Sequence, residues 1–150
     1  MKHITIDIRN RRASFEFTFM ARYSAGLVLK GSEIKSIRAG KANINDAHCF
    51  VNGGEVFVKS MHIAEYNNAG SFGHIPTADR KLLLTKKEIK KIIDALKNKG
   101  LTIIPLRLFI NEKGYAKLEI ALAKGKKIHD KRETIKKRDT DQEIRRNFRA

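Results

Sequence analysis

Hydrophobic and polar residues alternate along three stretches of the chain, as they do in β-strands that are buried on one face. The first stretch is 14–22, in which apolar residues take every second position: Phe15, Phe17, Phe19 and Ala21. The second stretch is 101–110 and the third is 116–122. We predict a half-buried strand from each of them.

The second and third stretches are separated by the turn sequence Asn-Glu-Lys-Gly and are predicted to form a hairpin. Pro105 cannot donate to a strand ladder, so it limits the first of these strands to a sheet edge or a bulge. A further hairpin is predicted over 49–58, where Asn-Gly-Gly separates two β-prone runs. In the 101–122 hairpin, the alternation places eight apolar residues on one face: Ile104, Leu106, Leu108, Ile110, Ala116, Leu118, Ile120 and Leu122.

Two segments have the apolar spacing of helices. In 31–40, Ser32 is the predicted N-cap, Glu33 lies in the first turn and Gly40 ends the helix. The segment 85–100 begins with a capping box of Thr85 and Glu88, and its apolar stripe ends before Gly100. Residues 64–80 have no period and are rich in Asn, Gly, Ser and Pro, so we predict a long loop there.

Several short strands with only two helices favour an all-β dominated fold over a parallel sheet. We expect a small antiparallel β-barrel of the OB type with flanking helices over residues 1–128. Residues 129–150 form a different region, because residues 124–150 contain few large apolar side chains. We predict that 129–150 is a disordered basic tail that becomes helical on an acidic partner.

Charge indicates what this fold would bind. The chain has 32 Lys and Arg against 16 Asp and Glu, which gives a formal net charge of +16. Residues 1–123 hold 21 basic and 11 acidic side chains, so the excess is not confined to the tail. A polyanion is the expected partner, and nucleic acid is favoured over an anionic membrane surface.

No apolar run is long enough for a signal sequence or a membrane span, so we expect a soluble, cytoplasmic protein. The single cysteine, Cys49, excludes an internal disulfide framework and fits a reducing compartment. We interpret Cys49 as a small core residue.

Catalytic chemistry has weak support in the sequence. His62, His74 and Asp79 flank the long loop and would be the best candidates for a metal-dependent nuclease. No metal-binding, phosphate-loop or nucleophile motif accompanies them. The aromatic stretch 15–19 is open to two interpretations, a core stripe or a stacking platform for single-stranded nucleic acid.

Five segments carry a more specific signal. They are NRRA (10–13), AGLVLKGSEIKSIRAGKANI with Asp46 two positions after it (25–46), RKLLLTKKEI (80–89), KGLTIIPLRLF (99–109) and IALAKGKKIHDKRE (120–133). In this order, they resemble the small protein B family of bacteria, the SsrA-binding or tmRNA-binding proteins. The resemblance covers nearly the whole chain.

This resemblance implies an OB-type barrel and an RNA-binding adaptor without catalytic activity, cofactor or metal. Proteins of this family bind the tRNA-like domain of tmRNA and bring it to the vacant A site of a stalled ribosome for trans-translation. The implied partners are tmRNA and the ribosome, with one protein monomer for each tmRNA and no membrane. The alternatives are an OB-fold ribosomal or initiation-factor-like protein that binds rRNA, and the metal-dependent nuclease.

The family motifs imply three groups of site residues. Nine motif positions would lie at or beside the tmRNA surface: Asn10, Arg11, Arg12, Glu33, Lys35, Ser36, Arg38, Lys41 and Asn43. Three lysines would contact phosphates where the barrel meets the tail: Lys124, Lys126 and Lys127. Four tail residues would act in the ribosome: His129, Asp130, Lys131 and Arg132. The chain departs from the family pattern at Ser24, where many members carry a glutamate implicated in tmRNA binding, and at Thr85.

Overall fold

The computed structural model describes residues 6–66, 73–98 and 100–126. Within these ranges the chain forms three helices, α1 (Ala13–Glu16), α2 (Gly31–Arg38) and α3 (Lys86–Leu96). The strands in the same ranges are β1 (Asp7–Arg9), β2 (Phe17–Leu27), β3 (Ala42–Asn43), β4 (His48–Asn52), β5 (Glu55–Lys59), β6 (His62–Ile63), β7 (Arg80–Leu83), β8 (Leu101–Ile110) and β9 (Ala116–Gly125).

Seven strands form one antiparallel sheet in the order β1-β8-β4-β5-β7-β2-β9, and β9 also pairs with β8. This additional pairing closes the six strands from β8 to β9 into a barrel. The β3 and β6 strands form a separate two-stranded ladder. The prediction of an antiparallel, all-β dominated fold with flanking helices is confirmed, and the barrel is consistent with OB-type architecture.

The first alternating stretch differs from its prediction. Residues 13–16 form α1, so the strand begins at Phe17. A β-bulge at Met20 then shifts the register of β2 against β9. Because a bulge adds one residue, Phe19 and Ala21 point to opposite faces of the sheet. Phe17 and Phe19 therefore pack outside the main core, in a second apolar cluster with Ala13, Ile104, Leu106, Ala121 and Ala123.

Of the two alternatives predicted for Pro105, a sheet edge or a bulge, the structure has the bulge, and Leu106 is the extra residue opposite β9. For this reason, the prediction that the apolar residues of β8 share one face is wrong for the first half of the strand. Leu108 and Ile110 belong to the main core, whereas Ile104 and Leu106 belong to the second cluster. The predicted face of β9 is confirmed, since four of its residues line the main core: Ala116, Leu118, Ile120 and Leu122.

The main core fills the barrel and includes Cys49, which is free and buried. Burial raises the pKa of the Cys49 thiol far above its ordinary value, because the thiolate would lose its hydration. The predicted 49–58 hairpin is confirmed, and its turn is Gly53-Gly54. Both glycines have positive φ angles, of 60° and 77°, which side chains rarely adopt.

The two predicted helices are present, but the N-cap residue was predicted correctly only for α3. Thr85 caps α3 as expected: its Oγ1 accepts a hydrogen bond from the Glu88 N–H at 3.2 Å. The cap of α2 is Lys30 and not Ser32, because Ser32 lies inside the first turn and is buried. Gly40, with a φ of 74°, ends the α2 segment as predicted.

The segment 64–80, predicted as a long loop, has neither helix nor strand over 64–66 and 73–79, and its last residue, Arg80, begins β7. No helix in the described ranges is both long and apolar enough to cross a membrane. The predictions for Lys127 and for the tail 129–150 lie outside the described residues.

Candidate nucleic-acid interface

The α2 helix is attached to the barrel by a buried ion pair. Glu33 contacts Arg80 of β7, and both side chains are almost completely buried. The remaining donors of Arg80 reach three backbone carbonyls, those of Met61 at 2.6 Å, Pro76 at 3.0 Å and Ile75 at 3.3 Å. The Glu33 carboxylate also accepts from the Lys30 N–H at 2.8 Å. This pair therefore joins α2, β7 and the segment after β6.

Two serines add further polar contacts beneath α2. The Ser32 hydroxyl lies 2.8 Å from Nδ1 of His74, whose Nε2 lies 2.9 Å from the Ile63 carbonyl oxygen. A carbonyl oxygen only accepts, so Nε2 of His74 is the donor to Ile63. In the neutral imidazole, Nδ1 then accepts from the Ser32 hydroxyl. The Ser36 hydroxyl donates to the Ala64 carbonyl at 2.6 Å. All three polar side chains are buried and bonded.

These contacts correct two of the predicted surface residues. Glu33 is 4% exposed and Ser36 is fully buried, so neither can contact RNA directly. Their carboxylate and hydroxyl groups serve instead to fix the position of α2. Sequence reasoning could not separate them from their exposed neighbours, because their partners lie 28 and 47 residues away.

The outward face of α2, the turn after it and β3 carry the other predicted residues of this part of the chain. We call Lys35, Arg38, Lys41 and Asn43 the α2 surface, because all four are exposed. The Lys35 ammonium lies 5.5 Å from the ring centroid of Tyr66, and Arg38 donates to the Gly114 carbonyl at 3.4 Å. Three cations are therefore presented on one side of the barrel.

A groove of about 400 Å³ lies beside the α2 surface and was missed by sequence reasoning. It is formed where α2 meets β2, β7 and the β8–β9 turn. Lys113 and Lys117 add two cations to its lining, and Leu83 and Tyr115 are exposed by 52% and 65%. We call this the α2 groove. The aromatic ring of Tyr115 directly after the predicted turn was the available sequence signal, and it offers a stacking surface for an unpaired base.

The predicted residues Asn10, Arg11 and Arg12 lie between β1 and α1. Asn10 has a structural role, because its Nδ2 donates to the Pro105 carbonyl at 3.0 Å and its Oδ1 accepts from the Arg12 N–H at 3.3 Å. Arg11 and Arg12 are exposed. Arg12 lies 4.0 Å from Asp46, an exposed ion pair that contributes little stability.

Two of the three predicted lysines near the end of β9 are within the described residues. Lys124 is exposed, and its neighbour Lys126 donates from Nζ to the Ser14 carbonyl at 2.9 Å. The Lys126 backbone N–H also donates to the Glu16 carbonyl at 2.9 Å. Lys126 therefore connects the end of β9 to α1.

The residues of the nuclease alternative do not assemble a site. His62 and Asp79 are exposed, whereas His74 is buried and uses both ring nitrogens in hydrogen bonds. In the ranges that the model describes, no three His, Cys, Asp or Glu residues are grouped as metal ligands.

Ser24, which stands where many family members carry a glutamate, has an acidic neighbour. Ser24 is exposed on β2 and pairs in register with Glu119 of β9, which places both side chains on the same face of the sheet. A carboxylate is therefore present one strand away from Ser24.

Comparison with known proteins identifies relatives along nearly the whole chain. The family described as SmpB protein matches residues 7–150. The SsrA-binding protein of Phocaeicola vulgatus is 55% identical over 148 residues, which are 99% of each protein. The SsrA-binding protein of Flavobacterium psychrophilum is 56% identical over 142 residues, which are 95% of each protein.

A solved structure agrees with these matches. It is described as "tmRNA-SmpB: a journey to the center of the bacterial ribosome". Its matching chain is 38% identical, superimposes with a TM-score of 0.69, and covers 87% of this chain and 94% of its own length. The resemblance inferred from the sequence motifs is thereby confirmed, and the chain belongs to the SmpB family.

Proposed function

We propose that this protein binds the tRNA-like domain of tmRNA and delivers it to stalled ribosomes for trans-translation. It acts as an RNA-binding adaptor and makes or breaks no covalent bond. The family supports this proposal, because the relatives are named SsrA-binding proteins and the similar solved chain comes from a tmRNA–ribosome study.

The observation that carries the proposal is the α2 surface with its adjoining groove. Lys35, Arg38 and Lys41 can neutralise phosphates, while Tyr115 can stack on an unpaired base. Folded RNA is recognised largely through its backbone, its shape and its unstacked bases. A rigid surface that combines cations with one exposed aromatic ring fits that mode of recognition.

Rigidity comes from the buried contacts of Glu33, Ser36 and Arg80. Binding to a surface that is already ordered avoids part of the conformational entropy cost of association. The predicted site residues therefore divide into two roles. Exposed cations contact RNA, and buried polar groups hold those cations in position.

The test compares two RNAs and two matched variants. The wild-type protein should bind the tRNA-like domain of tmRNA more tightly than an rRNA fragment of equal length. The double variant Lys35→Ala/Arg38→Ala should lose about tenfold in affinity at physiological salt, because two phosphate contacts are removed. The control variant Lys86→Ala/Lys90→Ala removes the same charge from α3. Equal wild-type affinity for the two RNAs would favour the rRNA-binding alternative and contradict the proposal.

The tail is assigned a second step in this proposal. His129, Asp130, Lys131 and Arg132 would act in the ribosome after tmRNA has bound, while residues 1–128 hold the RNA. Deleting 129–150 should leave affinity for the tRNA-like domain within a few-fold and abolish peptide tagging of stalled ribosomes. An equal loss of RNA affinity would contradict the division into two regions.

A further inference from the structure

A second groove, of about 540 Å³, lies on the outer face of the barrel beside α1. We call it the arginine groove. Its lining includes Arg9, Asn10, Arg11, Phe19, Arg22 and Arg107. Only Asn10 and Arg11 belong to the residues that the family motifs implicate, so the other three arginines are an addition made by the fold. Strands β1, β2 and β8 each contribute one of them.

Two carboxylates hold these three arginines in a chain of ion pairs. Oδ2 of Asp7 lies 3.0 Å from Arg9 and 3.5 Å from Arg107. Glu119 lies 3.2 Å from Arg107 and 3.4 Å from Arg22. Arg107 is therefore the central guanidinium, between both carboxylates, and its side chain is 32% exposed. Arg9 and Arg22 are the outer members, with side chains exposed by 68% and 61%.

Aromatic rings orient two of the guanidinium groups further. Arg22 lies over Phe19, with 5.2 Å between the guanidinium carbon and the ring centroid, and Arg107 lies over Phe109 at 4.1 Å. A guanidinium fixed in this way loses less side-chain entropy when a ligand binds. The chain of ion pairs is thus preorganised for an anion.

The groove retains an excess of positive charge. Within the described ranges, the ion pairs of Arg9, Arg22 and Arg107 involve two carboxylates, those of Asp7 and Glu119. Among the described residues, Arg11 has no ion-pair partner. Each guanidinium carries five N–H donors, and the observed ion pairs use only part of them. Exposed ion pairs add little stability, so stability alone does not account for this arrangement.

The arginine groove and the α2 groove lie on one continuous face. Arg22, Ser24 and Gly26 alternate along β2 toward the same side, and Gly26 lines the α2 groove. Four residues of strand separate Arg22 from Gly26, a distance of about 13 Å. An RNA bound at the α2 surface can therefore extend its backbone along β2 into the arginine groove.

We propose that the arginine groove binds the phosphate backbone of the same RNA that occupies the α2 surface. Arg9, Arg11 and Arg22 are the phosphate ligands, and Arg107 is a positioning residue. Arginine suits this role because its planar fork can donate two parallel hydrogen bonds to one phosphate. The inference rests on the proposed function, because it takes the RNA at the α2 surface as given.

The experiment measures binding of the tRNA-like domain of tmRNA as a function of salt. Arg9→Ala/Arg22→Ala should bind about tenfold more weakly at physiological salt, and its log–log salt slope should be shallower by nearly 2. Lys86→Ala/Lys90→Ala removes the same net charge. Its affinity should stay within about threefold of the wild-type value and its salt slope should be nearly unchanged, because these α3 lysines make no proposed contact with the RNA. Arg9→Lys/Arg22→Lys should keep the slope and lose part of the affinity, because the charge stays and the fork is lost.

The outcomes separate this inference from the proposed function. If Arg9→Ala/Arg22→Ala and Lys86→Ala/Lys90→Ala bind the tRNA-like domain with equal affinity, the proposal that the arginine groove binds phosphates is wrong. The preference of the wild-type protein for the tRNA-like domain would still stand. If the wild-type protein binds both RNAs equally and Arg9→Ala/Arg22→Ala still binds both about tenfold more weakly, the proposed function alone is contradicted. If the groove variant keeps its RNA affinity but no longer binds polyglutamate, the partner is an acidic protein and the inference is wrong. Thermal unfolding confirms that each variant is folded.

Footprinting tests whether one RNA reaches both grooves. Hydroxyl-radical protection of the tRNA-like domain should be lost at different nucleotides in Arg9→Ala/Arg22→Ala and in Lys35→Ala/Arg38→Ala. Loss of protection at the same nucleotides would contradict two contacts along one RNA.

Discussion

The α2 and α3 helices both pack an isoleucine into the main core but differ in their polar contacts. Thr85 and Glu88 bond each other's backbone N–H groups at the start of α3, and Ile92 is the fully buried side chain of that helix. The side chain of Lys30 makes no cap at the start of α2. Instead, α2 buries Glu33 and Ser36 against polar partners elsewhere in the chain.

This difference shows which contacts position the proposed RNA surface. The capping bonds of α3 join residues three apart, whereas Glu33 is bonded to a residue 47 positions away. Local bonds form a helix but leave its place on the barrel to apolar packing. Directional bonds to β7 and to the segment after β6 fix the place of α2 as well. The helix that carries the proposed RNA contacts is therefore the one held by long-range polar contacts.

The largest expected effect is loss of the arginine beneath α2. Arg80→Met leaves the Glu33 carboxylate buried without its partner and removes the donor to three backbone carbonyls. Removing one member of a buried ion pair costs about 3 to 5 kcal/mol. Urea denaturation should show a loss of that size in the free energy of unfolding. RNA affinity should fall too, because α2 loses its position.

Glu33→Gln is the comparison variant for that measurement. The glutamine removes the charge but can still accept from the Lys30 N–H, and Arg80 keeps its carbonyl contacts. We expect Glu33→Gln to cost less than Arg80→Met. If both variants cost under about 1 kcal/mol, the ion pair does not anchor α2 and the contrast between the two helices is wrong.

A smaller effect is expected from the second buried contact of α2. Ser36→Ala removes the hydroxyl that donates to the Ala64 carbonyl at 2.6 Å, which leaves that oxygen without its donor. The expected loss is about 2 kcal/mol in the free energy of unfolding. Ser24→Ala, on the exposed face of β2, is the control and should change stability by less than about 0.5 kcal/mol. Equal losses in the two variants would show that the buried hydroxyl contributes nothing specific.

The sequence predicted what depends on local chemistry. The capping box of Thr85 with Glu88 and the turn at Gly53-Gly54 were predicted, and a bulge was one of the two alternatives predicted for Pro105, because each is specified by a few neighbouring residues. The bulge at Met20 was not, since its neighbours continue the alternation and only pairing with β9 reveals the extra residue. That bulge is the reason that Phe19 lies outside the main core.

The candidate site was predicted in part for the same reason. Charge and family motifs indicated Lys35, Arg38 and Lys41, which are exposed. They could not separate these cations from Glu33 and Ser36, because burial of a polar residue depends on a partner far away in the chain. The arginine groove was predicted only at Asn10 and Arg11, because strands distant in sequence bring Arg22 and Arg107 to them.

The smallest effect compares the two helix N-termini directly. Thr85→Ala removes the hydroxyl that accepts from the Glu88 N–H, and loss of such a cap costs about 1 kcal/mol. Lys30→Ala at the matching position of α2 should cost less than about 0.5 kcal/mol, because the Glu33 carboxylate and not the Lys30 side chain makes the bond there. Urea denaturation of both variants, with Thr85→Ser as the variant that keeps the cap, checks the difference. Equal losses in Thr85→Ala and Lys30→Ala would mean that the side-chain cap does not distinguish the two helices.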